Sequence, residues 1–347
     1  MMSYQQTKYW SVDNIVDNLI ESKEIQEAAA FLREGKLVAF PTETVYGLGA
    51  SARSDEAVTS IFTAKGRPAD NPLIVHISQQ KDVYNFTKSV PEKAEKLMEK
   101  FWPGALTIIL AHNGRLSTKV TAGLSTVGLR MPDHPVALAL IEASGEPIAA
   151  PSANRSGRPS PTTAAHTAED LQGRIAGIVD GGATGLGVES TVIDCSGELP
   201  IILRPGGVTQ SQLEAVIGRV EVDQSLTEEA APRSPGMKYK HYAPEAPLTL
   251  VDGDEDFFRS CVRKHKENGE KVGLILFPAL ASMEADAVYI LSDNRIETTA
   301  RELYSALRTF KKSEVDHILM QAVPADELGF AVMNRLVKAA GGRILTQ

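Results

Sequence analysis

The chain has 347 residues, 43% of them hydrophobic and 23% charged, which at roughly 150 residues per domain points to two folded domains with real cores. That balance excludes a disordered or fibrous chain. The charge sum of 36 Lys and Arg against 44 Asp and Glu gives a net of -8, which argues against coating nucleic acid or an anionic membrane with one basic face and leaves room only for a local basic pocket.

Helical spacing at Ile25, Ala28, Ala29 and Leu32 ends at Gly35, and the apolar run 37–40 that follows reads as a strand. Ser54 is placed to cap a second helix with Asp55 and Glu56 in its first turn, followed by the strand-like 73–77. Pro91 opens an amphipathic helix reaching Trp102, 105–110 reads as a strand, and a helix over 134–143 precedes the apolar 147–150. Short strands are expected at 175–179, 191–193 and 201–203, separated by glycine-rich turns. From Arg219 to Glu245 periodicity disappears among Pro232, Pro235, Gly236 and Pro244, so this stretch reads as an interdomain linker. Beyond it a regular alternation of strands (248–251, 272–277, 287–291, 315–320) and helices (257–266, 300–310) predicts a small doubly wound domain. Its first strand runs into Val251-Asp252-Gly253-Asp254, carboxylates where a phosphate turn would need glycines, so a regulatory or structural role suits it better than catalysis.

Cys195 and Cys261 each lie in an apolar stretch and provide neither a disulfide framework nor a cysteine-rich zinc site. They read as buried free thiols. The first residues hold no apolar signal core, and no apolar run approaches the ~20 residues that span a bilayer, so a cytoplasmic protein without membrane contact is expected.

Two glycine motifs invite misreading. Gly47-Leu-Gly49-Ala-Ser-Ala52 matches the dinucleotide fingerprint in form, yet residues 41–46 separate it from the preceding strand and no ribose-binding acid follows on cue. Gly182-Ala-Thr-Gly-Leu-Gly187 has the glycine spacing of a P-loop, but Val188-Glu189 stand where Lys-Ser/Thr are required. What remains is a glycine loop feeding Ser190-Thr191, either an ordinary turn or part of an anion cradle. No serine-hydrolase elbow or zinc-peptidase helix pair is present.

The polar ends of the apparent strands carry more chemistry. Lys65-Gly-Arg67-Pro68 closes the second helix, where two cations also serve as ordinary dipole caps. Pro41-Thr42-Glu43-Thr44 ends one strand, and Ala149-Ala-Pro-Ser152-Ala-Asn154 ends another and runs into Arg155-Ser-Gly-Arg158-Pro-Ser160 without one acid. Carboxyl ends of strands are where α/β sheets place ligands, so these ends are expected to converge on a pocket for an anion. His76 follows the apolar 73–75 and by position alone reads as a core histidine. Arg130, after the strand-like 126–129, is suited to a bidentate grip on a carboxylate.

Taken together, Lys65-x-Arg67 with Ser152-x-Asn154, the run Pro41-Thr42-Glu43-Thr44-Val45-Tyr46-Gly47-Leu48, Asn71-Pro72-Leu73, Ser156-Gly157 and Glu189-Ser190-Thr191-Val192-Ile193-Asp194 closely resemble the Sua5/YrdC family of threonylcarbamoyl-AMP synthases. Ser234-Pro-Gly-Met-Lys-Tyr239-Lys-His241-Tyr242-Ala-Pro244 resembles the linker of the long Sua5 form. The resemblance implies an α/β chain in three parts: a YrdC-like catalytic domain of twisted mixed sheet over 1–218, a linker over 219–245 that folds across the active site as a lid, and a smaller Rossmann-like α/β C-terminal Sua5 domain over 246–347. It implies a nucleotidyltransferase that turns L-threonine, bicarbonate or CO₂, and ATP into L-threonylcarbamoyladenylate and pyrophosphate, the first step toward N6-threonylcarbamoyladenosine at position 37 of tRNAs. Mg²⁺ would accompany the phosphates, and no side chain is expected to hold a metal.

Carried over onto matching positions, Lys65, Arg67, Ser152 and Asn154 would form the catalytic tetrad. Thr42, His76, Arg130, Ala150 and Ser190 would hold threonine, with Arg130 on its carboxylate. Lys65, Arg67, Asn71, Thr126, Ser152, Asn154, Ser160 and Arg204 would hold ATP, and Tyr239, His241 and Tyr242 would belong to the lid. The implied partner is a downstream tRNA threonylcarbamoyl transferase complex. The competing reading is an RNA-binding YrdC-like module without catalysis, at most a weak RNA binder given the net charge.

Overall fold

The computed structural model describes residues 6–12, 18–223 and 241–347. The chain divides into two compact units, one formed by 1–156 with 161–238 and the other by 157–160 with 239–347. Residues 157–160 thus group with the carboxy-terminal unit, although the sequence places them inside the first domain. Their attachment is visible in bonds: Ala243 N donates to Gly157 O at 2.9 Å, Arg158 pairs with Glu245 at 3.2 Å, and buried Arg308 donates to the Pro159 carbonyl at 2.5 Å.

The first unit holds β1 (Lys8–Ser11), β2 (Val38–Phe40), β3 (Gly47–Ser51), β4 (Ile74–His76), β5 (Leu106–Ala111), β6 (Thr126–Arg130), β7 (Ile148–Ala149), β8 (Gly177–Asp180), β9 (Thr191–Asp194), β10 (Ile201–Arg204) and β11 (Glu221–Val222). They form one mixed sheet in the order β1-β8-β2-β3-β7-β4-β6-β5-β9-β10-β11. β2 shows how both faces become buried. Leu37 and Ala39 join one apolar cluster, with Val58, Ile61 and Leu97. Val38 and Phe40 join another, with Ile25, Leu32 and Leu140. The period-two alternation of a strand sends neighbours to opposite faces, so this short apolar run needs helices on both sides.

The helices begin where capping chemistry dictates. Ser54 accepts from Ala57 N at the start of Asp55–Lys65, and Thr209 forms a capping box with Gln212 at the start of Gln210–Ile217. Each cap satisfies amide donors that would otherwise lack partners.

Several elements depart from the sequence expectation. The apparent dinucleotide fingerprint is itself strand β3, and its glycine is there for space: a Cβ on Gly49 would lie 2.8 Å from the Phe40 ring and 2.9 Å from Ile148. The linker does not begin at Arg219, because Glu221–Val222 pair in parallel with Ile201 and Ile202. Most of the remaining linker falls outside the described residues.

The second unit contains β12 (Leu248–Asp252), β13 (Val272–Leu276), β14 (Ala287–Ile290), β15 (His317–Gln321) and β16 (Ile344–Thr346) in the order β14-β13-β15-β12-β16, with each neighbouring pair parallel. Asp254, in the turn after β12, accepts from Phe257 N at 2.8 Å and caps the helix Glu255–Glu267. Its carboxylate thus serves the fold where a nucleotide-binding turn would serve a phosphate.

Candidate active site

The candidate residues come from both ends of the central strands, with Ser152 and Asn154 following β7 on the side where β4 begins. β4 and β6 run parallel with His76 opposite Arg130, so both residues finish their strands at the same end. β7 runs antiparallel to β4 and brings Ile148 opposite His76. β5 starts beside β9, with Leu106 opposite Thr191, and this places Ser190 one residue before that pair. Thr107 and Ser190 meet hydroxyl to hydroxyl at 2.8 Å. Arg204, ending β10, donates to the Ser190 carbonyl at 2.9 Å from one terminal nitrogen and at 3.1 Å from Nε, and reaches the Ser190 hydroxyl at 3.1 Å. Arg130, Ser190 and Arg204 are all buried.

Lys65 is the last residue of its helix and is only 4% exposed. Its ammonium donates to the Ser152 carbonyl, to the Asn154 carbonyl at 2.6 Å and to the Asn154 amide oxygen at 3.1 Å. Ser152 donates to the same amide oxygen at 2.6 Å. Three members of the tetrad are therefore one hydrogen-bonded knot, and Lys65 both fixes the turn and brings a buried positive charge. Gly66, left-handed at φ 62°, turns the chain so that Arg67 N still bonds back to Phe62 O. Arg67 is half-buried, and its terminal nitrogen lies 3.4 Å from the Asn71 carbonyl. Asn71 is buried, with no hydrogen-bond partner for its amide nitrogen.

The segment 41–46 forms another wall. Thr42 closes a turn by donating to Val45 O at 2.7 Å. Leu186 N donates to Glu43 O at 2.8 Å and Gly187 N to Thr44 O at 3.2 Å, so the second glycine motif is a brace behind this wall and holds no phosphate in P-loop fashion. Leu48 N to Pro151 O and Ala153 N to Tyr46 O, both at 2.8 Å, stitch the wall to the Ser152–Asn154 turn. Ala150 N donates to Ile74 O at 2.9 Å, which sets Ala150 beside β4.

Burial, with help from the Arg130 charge, drives the His76 imidazole down to about 3, so the ring is neutral throughout the physiological range. Phe40 meets it edge-on at 6.3 Å. Thr126 lies on the side of the sheet where the registers of β4, β6 and β7 place Ser152, two strands over. It opens β6, at the opposite end from Arg130, about 13 Å away at four strand steps. Ser160 is fully buried within the segment that groups with the second unit. Tyr239 lies outside the described residues. Tyr242 is buried in the second unit, stacked on Tyr304 at 5.5 Å with Arg335 5.9 Å from its ring, and His241 tilts against it at 5.6 Å.

Glu43 and Thr107 are the residues that sequence reasoning missed. The Glu43 carboxylate lies 2.7 Å from the Arg130 guanidinium. The signal available in the sequence was an acid inside an otherwise neutral strand-end run, among so many cations and hydroxyls.

In the second unit His265, Glu270 and His317 bring one donor atom each to within 4.8 Å of one another. One nitrogen of each ring has a protein partner: His265 Nδ1 meets Glu270 at 2.6 Å and His317 Nε2 meets Thr249 at 2.8 Å. The two rings stack at 4.4 Å, an arrangement of mutual packing.

A mixed sheet that holds cations, hydroxyls and one compact turn around its central strands defines an α/β protein with a site suited to anions. Two family models cover the chain. Sua5/YciO/YrdC, described as telomere recombination, matches residues 30–206, and the C-terminal domain of threonylcarbamoyl-AMP synthase matches 208–341. The chain is 53% identical over 344 residues to the threonylcarbamoyl-AMP synthase of Bacillus subtilis strain 168, covering 98% of this chain and 99% of that one. It is 50% identical over 332 residues to the threonylcarbamoyl-AMP synthase of Pyrococcus abyssi, covering 94% and 96%. The crystal structure of P. abyssi Sua5 complexed with L-threonine superimposes with a TM-score of 0.93 at 48% identity, covering 98% of this chain and all of that one. The chain belongs to the threonylcarbamoyl-AMP synthases of the Sua5 family, as the tetrad and its neighbours implied.

Proposed function

We propose that the strand-end cluster joins L-threonine, bicarbonate or CO₂, and ATP into L-threonylcarbamoyladenylate and pyrophosphate, with the residues divided as the family pattern divides them. Threonine lies against Thr42, His76, Arg130, Ala150 and Ser190. ATP lies along Lys65, Arg67, Asn71, Thr126, Ser152, Asn154, Ser160 and Arg204. The observation that carries this reading is the knot of Lys65, Ser152 and Asn154 on the same sheet that ends in Arg130 and Ser190. A relative of the same fold is known complexed with L-threonine.

Threonine's ammonium gives up a proton to solvent, its nitrogen bonds to the carbon of CO₂, free or released from bicarbonate with loss of hydroxide, and a second proton leaves to give the carbamate. A carbamate oxygen then forms a bond to the α-phosphorus as the bond from that phosphorus to the pyrophosphate oxygen breaks. Negative charge moves onto the leaving pyrophosphate. Fixed cations aimed at that charge lower the barrier, and Lys65 and Arg67 supply them. The side chains assigned to ATP are neutral or cationic, with no carboxylate among them, so they do not form a protein-held magnesium site. Mg²⁺ fits as the counter-ion that arrives on the substrate's phosphates.

The neutral His76 is suited to hydrogen bonding rather than to charge, and Arg204 fixes Ser190 so that its hydroxyl faces threonine in one orientation. Tyr242, buried by its stack on Tyr304, gives the lid segment a fixed end. The linker then excludes water from a labile carbamate and a reactive mixed anhydride. No helix among the described residues is long and apolar enough to cross a membrane. The protein works in the cytoplasm and passes its unstable product to a tRNA threonylcarbamoyl transferase. Pyrophosphate release from ATP and Mg²⁺, with L-threonine and bicarbonate omitted in turn and the adenylate identified by mass, tests the reading. Turnover that does not need threonine overturns it.

A further inference from the structure

The Glu43 carboxylate is sheltered from solvent, and neither of its oxygens accepts a hydrogen bond. Oε1 lies 2.7 Å from a terminal nitrogen of Arg130, close enough for strong attraction but outside hydrogen-bonding geometry, and that nitrogen has no acceptor either. Arg130 is held in place from behind, because its Nε donates to the Gly104 carbonyl at 3.2 Å. Glu43 is held as well, because its own carbonyl accepts from Leu186 N. On the neighbouring strand, opposite Arg130, His76 presents an imidazole whose Nδ1 has no partner. Buried polar atoms without partners each cost about 1–3 kcal/mol, so several at one place mark a spot where a ligand that satisfies them gains affinity.

The thing that satisfies them carries two opposite charges close together. A guanidinium beside a carboxylate is the complement of an α-amino acid, whose carboxylate and ammonium sit on one carbon. We infer that Glu43 is the ammonium-recognising residue of the threonine pocket: it accepts hydrogen bonds from the α-ammonium while Arg130 takes the carboxylate, so that the pair selects an amino acid over a simple hydroxy acid. The two side chains neutralise each other, and an arriving zwitterion slots between them with both charges matched. Charge neutrality is preserved on binding, which matters where burial makes an unpaired charge expensive. This rests on threonine being the substrate.

The test compares L-threonine with (R)-3-hydroxybutanoate, which keeps the carboxylate and hydroxyl and lacks the amine. Binding of each to the full chain is measured by calorimetry, for the wild type and for Glu43→Gln. The expected result is a loss of roughly 10- to 100-fold in threonine affinity, the worth of a charge-assisted hydrogen bond, with affinity for the hydroxy acid unchanged or raised, because its carboxylate no longer competes with Glu43 for Arg130. An equal loss for both ligands means that Glu43 acts only by holding Arg130 or the fold, and unchanged threonine binding means that it does not meet the ammonium; either overturns the inference. If the amide variant does not fold, Glu43→Asp, which keeps the charge and withdraws it by one methylene, is held to the same comparison. A wild type that binds no threonine overturns the substrate reading and this assignment together, whereas a wild type and variant that bind it equally overturn only the role of Glu43.

Discussion

The ammonium of Lys65 donates to both oxygens of Asn154, the main-chain carbonyl at 2.6 Å and the side-chain amide at 3.1 Å. A residue expected to touch phosphate is thus also the clamp on the turn that carries two other members of the tetrad. Lys65→Ala is expected to act twice. It should leave buried acceptors unpaired, for about 1–3 kcal/mol of stability, and reduce adenylate formation by about 10²- to 10³-fold, the effect of removing one preorganised charge. Arg67→Ala removes a half-buried side chain beyond the helix end and should reduce turnover similarly while costing less than about 1 kcal/mol of stability. Urea unfolding alongside a pyrophosphate assay separates the two variants, and equal stability losses would show that Lys65 does not clamp the turn.

His76 yields a pH prediction with a definite sign. Its imidazole is held down to about 3 in the folded protein against an ordinary value of 6.5, so between those values the unfolded chain takes up a proton that the native one refuses. The contribution of this residue is complete above pH 6.5 and declines as pH falls toward 3, by roughly a few kcal/mol in all. Unfolding free energies measured from pH 7.5 down to 4 should therefore fall more steeply for the wild type than for His76→Asn. Parallel curves would show that the ring accepts its proton in the native state.

Both units and much of the site were legible in the sequence, because strand ends announce themselves by a change from apolar to polar residues and helix starts by their caps. Ser54, Thr42, Arg130, Ser152 and Asn154 follow that logic, whereas Lys65 and Arg67 close a helix, where cations also serve as ordinary dipole caps, and only the family pattern sets them apart. β3 was not legible: Gly47–Ser51 lacks the branched and aromatic residues that mark strands, because Phe40 and Ile148 leave no room for them above Gly49. The pairing of 157–160 with the second unit was hidden for a different reason. It rests on contacts of Gly157 and Pro159 with Ala243 and Arg308, which lie 86 to 149 positions away, and no local pattern encodes such a partner. Glu43 was overlooked because an acid in an anion pocket contradicts the charge logic until Arg130 is seen 2.7 Å away.

Cys195 should be chemically silent. Burial, aided by the neighbouring Asp194, pushes its thiol up to about 12, and the thiolate is the reactive form. Native protein treated with iodoacetamide near pH 8 should show no labelling at this position by mass spectrometry, and labelling should appear once the chain is unfolded in guanidinium. Rapid labelling of the folded chain would mean that the β9 end opens readily.

Gly206 is where the backbone leaves least room near the site. A Cβ there would lie 2.3 Å from Thr191 N and 2.4 Å from Glu189 O and Ser190 C, all main-chain atoms that no rotamer change can move aside. Relief requires the segment carrying Ser190 to shift, which would break its bonds with Arg204 and Thr107. Gly206→Ala is expected to destabilise the protein by about 3 kcal/mol or more, at the upper end of overpacking effects. It should also weaken threonine binding in whatever fraction remains folded. Gly185 offers the internal comparison, since a Cβ there meets nothing within 4 Å and Gly185→Ala should stay within about 0.5 kcal/mol of the wild type. Thermal melts of the two variants decide the matter: similar midpoints would mean that the 189–191 segment yields easily, and that Ser190 is not held in one position by its surroundings.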